Sequence, residues 1–217
     1  MANIFPRAAN RIFPLILVGV ALIGTITVCA VWYFFTPKYT RVGYQPIQPI
    51  AFDHALHVTQ VGLDCRYCHQ NVERSANSTL PSTQTCMACH QHVKPDSPKL
   101  AALRESWQTG LPVPWVRVHK APDFVYFNHS VHVNRGMSCV HCHGQVNHMP
   151  VLWHDQPQSM SWCLDCHRNP AAKIRPPEKV YDLDWRAPTP EIQLEMGQKL
   201  VKEWGVRPPV TCAGCHR

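Results

Sequence analysis

The sequence predicts a mainly α-helical and irregular fold with little β-sheet and one N-terminal transmembrane helix. Three observations carry this expectation. Ile12 to Phe35 is a continuous run without a charged side chain. Ten of the 11 cysteines fall into five copies of one short pattern. The rest of the chain, with 20 prolines among 217 residues, shows almost none of the apolar/polar alternation of half-buried strands.

The apolar run comes first. At about 1.5 Å per residue it makes roughly 36 Å of helix, more than the ~30 Å hydrocarbon core of a bilayer. Trp32 and Tyr33 fall at its far end, where amphipathic rings favour the membrane interface. A cleaved signal peptide would have a shorter run followed by a small-x-small cleavage site; this run ends in "VWYFFTPK". The expected organisation is a cytoplasmic tail over 1–11, an anchor over 12–35 and an extracytoplasmic domain over 36–217. Arg7 and Arg11 before the run are matched by Lys38 and Arg41 after it, so charge alone does not orient it. Cys29, inside the run, reads as an apolar-like thiol.

The repeated pattern is Cys65-Arg-Tyr-Cys68-His69, Cys86-Met-Ala-Cys89-His90, Cys139-Val-His-Cys142-His143, Cys163-Leu-Asp-Cys166-His167 and Cys212-Ala-Gly-Cys215-His216. C-x-x-C-H is the attachment signature of c-type haem. Two thiols, set apart by two residues, reach the two vinyl groups of one macrocycle. The histidine that follows is carried over the ring face toward the iron. Structural zinc or disulfides would use the cysteine pairs but leave five adjacent histidines unexplained. The reading is therefore five covalent c-type haems, with His69, His90, His143, His167 and His216 as proximal ligands. In bacteria this attachment happens outside the cytoplasmic membrane, which orients the anchor.

Stoichiometry adds a second argument. The chain beyond the apolar run must serve five motifs. So little chain per motif builds only a thin apolar core, so the macrocycles supply much of the buried surface and lie close together. Charge follows the same logic. The chain carries +7 with neutral histidines, and five ferric haems with ionised propionates bring this to roughly +2, or roughly −3 when reduced. The basic balance offsets cofactors and gives no reason to expect nucleic acid.

An internal duplication sorts the remaining histidines. Phe52, His54, His57 and Val58 recur in the second half as Phe127, His129, His132 and Val133. Gly62, Cys65, Cys68 and His69 recur, with the offset shorter by one, as Gly136, Cys139, Cys142 and His143. Each module, 52–90 and 127–167, is thus F-x-H-x-x-H followed by two C-x-x-C-H motifs. Histidines three apart on a helix occupy neighbouring faces and address two different irons. His54, His57, His129 and His132 are the expected distal ligands of four haems. The duplicated arrangement is class III-like among multihaem cytochromes c. The fifth haem has no such module; His119, Met149 and Met160 are its distal candidates, and a methionine there would raise its potential above its bis-histidine neighbours. His92 and His148 are weaker candidates, and His141, inside its own motif, is set aside.

Two helices carry end signals: Ser97-Pro98 opens one that Gly110 closes, and Thr189-Pro190 opens another that Gly205 closes. In the second, Ile192, Met196, Leu200 and Trp204 form an apolar stripe, which makes Met196 a packing residue. "RNPAAKIRPPEKVYDLDWRAPTP" is expected to run extended, within a linker of 170–211 toward the fifth motif at 212–216, and to wrap over a neighbouring subunit.

The anchor, the two modules, "PWVRVHKAPDFVYFNHSVHV", "MSWCLDCHR" and the terminal fifth motif together resemble the pentahaem cytochrome subunits (ActA) of bacterial alternative complex III, over nearly the whole chain. The resemblance implies an electron-transfer subunit of a membrane quinol:acceptor oxidoreductase, with no catalytic site of its own. It implies as partners an iron–sulfur subunit, polytopic quinol-binding subunits, a monohaem cytochrome subunit and a soluble acceptor.

Two other classes compete. A stand-alone, membrane-anchored multihaem quinol dehydrogenase would bind quinol beside its first haem; the stretch between Phe35 and Cys65 shows no obvious quinol site. A multihaem enzyme converting nitrite or hydroxylamine needs an open iron position, whereas at least five plausible distal ligands accompany the five proximal histidines.

Overall fold

The computed structural model describes residues 6, 8–35 and 40–216. The chain divides into two units, Met1–Arg41 and Val42–Arg217.

The first unit is built on α1, Ala9–Phe35. An 18-residue window of this 27-residue helix has a mean hydropathy of 2.5, and none of that window is buried in the protein. Such a helix is long and apolar enough to cross a membrane, a property that anchors and signal sequences share.

The second unit is a succession of short helices. A π-helical turn, Ala55–Gln60, precedes α2, Cys65–Cys68, and α3, Thr83–His90. Then come α4, Ala101–Thr109, α5, His129–Val133, and α6, Val140–His143. The last three are α7, Met160–Arg168, α8, Pro190–Glu203, and α9, Cys212–Cys215. Among the described residues the only β-pairing is one isolated antiparallel bridge, Val125 with His216. The fold is helical and without sheet.

Both helices with sequence end signals form. Gly110 closes α4 at φ 71°, its N–H bonded to the Ser106 carbonyl. The opening differs from expectation: Pro98–Leu100 is a 3₁₀ turn, and the Ser97 side chain caps nothing. Thr189 does cap α8, accepting from the Ile192 N–H at 3.3 Å. On α8 the inward face carries Met196, buried Gly197 and Leu200, while Ile192 stays exposed.

The core is thin. One cluster holds Ile50, Met87 and Leu103, with Trp115 and Cys86 packed against it. The other holds Val72, Val133 and Val180, with Tyr181 against it. Each lies beside a cysteine motif, which is what a chain with too little apolar surface of its own would need around large cofactors.

The segment expected to run extended over a neighbour instead folds onto its own chain. Pro170–Ala172 and Pro177–Lys179 are 3₁₀ turns. Ile174, Val180 and Leu183 are buried, as is Arg175. Prolines ruled out regular helix here, but single apolar residues between them found places in the core. α8 clamps this stretch: Gln193 Nε2 donates to the carbonyls of Ala171 (3.3 Å) and Ile174 (2.8 Å). Gly197 sits directly on the Ala171 carbonyl, where a Cβ has no room.

Candidate functional site

Each C-x-x-C-H motif forms one helical turn. His69 N–H bonds to Cys65 O (2.9 Å), His143 N–H to Cys139 O (2.9 Å) and His216 N–H to Cys212 O (2.8 Å). On such a turn residues i and i+3 share a face, so the two thiols stand together with the histidine one step on. Local chemistry starts these turns. The Asp64 carboxylate accepts from the Arg66 N–H, Ser82 caps α3 and Ser159 caps α7. None of the ten motif cysteines is paired in a disulfide.

The upstream histidines are held by an arrangement that repeats in three dimensions. Phe52 meets His54 edge-on at 4.8 Å and stacks on His57 at 4.4 Å. Phe127 meets His129 edge-on at 4.7 Å and stacks on His132 at 4.8 Å. The two rings of each pair therefore diverge, as two different targets require.

Whether these residues fit haem is tested by ring spacing. A histidine–metal bond is about 2.0 Å, and a ring centre lies about 1.1 Å behind the bonding nitrogen. Two rings on opposite sides of one iron should then have centres roughly 6.2 Å apart. His57 stands 6.2 Å from His90, His132 stands 6.2 Å from His167, and His129 stands 6.4 Å from His143. The first two pair a module's second histidine with its second motif; the third pairs a first histidine with a first motif. His54 is near enough to His69 for the charge of one ring to disfavour charge on the other.

A second fit comes from the other ring nitrogen. Nδ1 faces a backbone carbonyl in six of these histidines: His69 to Thr79 (3.0 Å), His90 to Val93 (2.9 Å), His167 to Pro209 (2.7 Å), His57 to Asp53 (2.8 Å), His129 to Ala76 (2.8 Å) and His132 to Asn128 (2.7 Å). A carbonyl only accepts, so Nδ1 carries the proton and Nε2 keeps its lone pair for a metal. Burial acts in the same sense. It lowers the pKa of His54 to about 4 and of His143 to about 3, and lowers that of His132. The rings stay neutral, as ligands must be. The residues present fit haem.

Eight of the ten motif thiols are partly buried, and Cys89 and Cys212 are exposed. Burial first, then Cys65, pushes the Cys139 thiol up to about 12. Burial, then Cys166, Cys139 and Cys163, does the same to Cys142. Cys68 is raised by burial and then by Cys86, and Cys163 by burial, then Cys166 and Cys215. Beside Cys86 a cavity of about 260 Å³ opens, lined by Leu80, Leu103, Val113 and Trp115.

The candidates for the fifth iron are dispersed. His119 lies 4.3 Å from His143, at the third motif. Met149 is 1% exposed, and its carbonyl accepts from the Ala55 N–H. Met160 is 66% exposed at the start of α7. His216 itself stacks on Phe124 at 5.6 Å. Of the weaker candidates, His148 Nε2 is engaged by Asp184 at 2.8 Å, and His92 is exposed. The pKa of His141 is held at about 4 by burial, then by Arg175 and Lys173, and its Nε2 is buried without a partner.

Sequence reasoning gave no role to His154, which is 1% exposed and 5.1 Å from His119. "WHDQ" carries no pattern that marks it; only the fold brings it to the third motif. Half of the carbonyls that orient the ligand rings, those of Thr79, Ala76 and Pro209, were equally invisible, because they come from other stretches of the chain.

Comparison with known proteins agrees with this geometry. The family described as cytochrome c7 and related cytochrome c matches residues 50–104 and 125–217, which contain both modules and the fifth motif. The chain is 37% identical over 100 residues to the protein named menaquinone reductase, multiheme cytochrome c subunit, of Nitratidesulfovibrio vulgaris. That match covers 46% of this chain and 47% of that protein, so the chain spans about half the length of the curated relative it matches.

Proposed function

The chain belongs to the family of cytochrome c7 and related cytochromes c, and from that premise we propose that it is a pentahaem electron-transfer subunit of a membrane quinol:acceptor oxidoreductase of the alternative complex III type. When bound, c-type haem supplies one-electron carriage at a potential set by its axial ligands and surroundings. The protein's part is to hold, orient and crowd five such groups. In this reading Cys65, Cys68, Cys86, Cys89, Cys139, Cys142, Cys163, Cys166, Cys212 and Cys215 are the attachment residues. His69, His90, His143, His167 and His216 are proximal ligands; His54, His57, His129 and His132 are distal.

The observation that carries the proposal is the spacing of the three histidine pairs, 6.2, 6.2 and 6.4 Å. With haem bound, the two histidines of each pair would both serve as ligands to one iron, which would suit electron relay and leave that iron no position for substrate. α1 serves as the anchor, with the haem domain on the extracytoplasmic side. Partners are those of the resembling complexes: an iron–sulfur subunit, polytopic quinol-binding subunits, a monohaem cytochrome and a soluble acceptor.

Haem quantification and electron paramagnetic resonance on the purified full-length protein test this reading. Five covalent haems with low-spin signals are expected; fewer than five, or a high-spin signal, would overturn it. The stand-alone dehydrogenase alternative makes the opposite claim about activity. Turnover of a quinol analogue by the isolated subunit would favour it, and none is expected.

A second reading concerns direction. The relative is named a menaquinone reductase, so the same relay would deliver electrons to a quinone rather than collect them from a quinol. Assays of the purified complex in both directions separate the two.

A further inference from the structure

We propose that the five attachment sites lie in the spatial order second, first, third, fourth, fifth, so that the second motif, Cys86–His90, and not the N-terminal one, forms one end of the relay. The inference rests on the haem reading above and adds a sequence of neighbours to it.

Within each module the two sites are tied by one aromatic ring. Phe52 touches both His54 and His57; His57 faces His90, and its carbonyl accepts from the Leu63 N–H, just before the first motif, at 3.0 Å. The first and second sites are therefore neighbours. Phe127 does the same for His129 and His132, which face His143 and His167. The third and fourth sites are neighbours by the same device.

The junction between modules decides the order. α5, which carries His129 and His132, is docked on the turn just after His69. His129 N–H and Nδ1 both donate to Ala76 O, at 3.1 and 2.8 Å. Ser130 N–H donates to Ser75 O at 3.2 Å, and Asn134 Nδ2 to Glu73 O at 2.9 Å. The cluster of Val72, Val133 and Val180 fills this junction. The second site sits in the other cluster, with Ile50, Met87 and Leu103. The third site thus meets the first, and the second is left outside.

The fifth site is fastened next to the fourth. His167 Nδ1 donates to Pro209 O at 2.7 Å, and the Pro209 ring packs on Gly214 inside the fifth motif. Tyr126 N–H donates to Cys215 O at 2.7 Å. One-electron carriers pass charge chiefly to their nearest neighbours, so the second and fifth sites are the two termini.

The decisive experiment locates the irons in the haem-loaded full-length protein by electron cryomicroscopy or by iron anomalous scattering. The second-motif iron should have one near neighbour, the first-motif iron, and the first-motif iron should have two. A second-motif iron beside the third, or a first-motif iron at an end, overturns the order while leaving the haem reading intact. Fewer than five irons overturns both. A solution measurement gives an independent check, because a thioether in place of an imidazole raises its own haem's potential and so perturbs adjacent ones. In potentiometric titrations His57→Met should shift the midpoint of one further haem, and His54→Met of two. The reverse counts would refute the order.

Discussion

The two modules, 52–90 and 127–167, have the same chemistry in the same arrangement but not the same number of residues. Between Val58 and Gly62 lie three residues; between Val133 and Gly136 lie two. The extra residue is absorbed in the first module by its π-helical turn, where Val61 N–H reaches back to Leu56 O. The second module uses an α-helical turn, α5. Beyond the difference the two come back into register. Leu63 N–H bonds to His57 O and Met137 N–H to His132 O, both at 3.0 Å. Gly62 and Gly136 then turn the chain at φ 79° and 78°. A one-residue insertion that would rotate a continuous α-helix by about 100° leaves the ligand pair and the next motif in place.

The modules differ more in their surroundings. His129 is oriented by a carbonyl of the other module, Ala76, whereas the Nδ1 of His54 is buried with no partner. Ser138, beside Cys139, is fully buried, as are Met149 and His154, while Cys89 of the first module is exposed. The first module thus holds a peripheral site, and the second lies at the centre of the fold.

The sharpest way to break this contrast is to remove a site from each module. Cys86→Ala with Cys89→Ala should cost one haem and leave the other four. Cys139→Ala with Cys142→Ala should cost more than one, because the third site supports its neighbours; haem quantification on purified protein would reveal equal losses if the contrast is wrong. Next in size is the spare residue. Deleting Gln60 should convert the π-helical turn to an α-helical one and keep all five haems. Deleting Arg135 from the module with nothing to spare should lose the third.

A smaller effect concerns the two phenylalanines. Phe52→Ala and Phe127→Ala each remove a ring that contacts two histidines, and each should cost roughly 1–2 kcal/mol. Similar drops in Tm are expected; a much larger drop for one would show that the ring clamps are not equivalent. The smallest effect is in pH dependence. His141 occupies the place of Tyr67 in the first module, and burial holds its pKa at about 4, below the ordinary 6.5. Its neutral ring contributes stability that is whole above pH 6.5 and is lost as pH falls toward 4, because the unfolded chain takes up a proton that the folded one refuses. The loss is on the order of 3 kcal/mol. Thermal melts of the loaded protein between pH 7 and 4 should flatten in His141→Gln.

Much of this was legible without coordinates. Helical class, absence of sheet and the cofactor chemistry follow from local patterns: two thiols and an imidazole on one helical turn, an uncharged helix of membrane length, and glycine or proline at helix ends. The duplication carried further, because Phe52, His54 and His57 recur in register, and the rings they pair with in space belong to the motifs that follow them. The linker is where local pattern misleads. Its prolines suggest an extended path, but burying Ile174, Val180 and Leu183 outweighed local stiffness.

The sequence by itself singled out the residues proposed to attach and ligate haem, since that chemistry operates over a few bonds and one turn of helix. Only the tertiary structure decided how the sites adjoin, which carbonyls orient the rings, and that His154 belongs beside His119. Those relations join residues far apart in the chain, such as His129 with Ala76 and His167 with Pro209. Contacts of that length are set by packing distant segments against each other, and no local pattern encodes them.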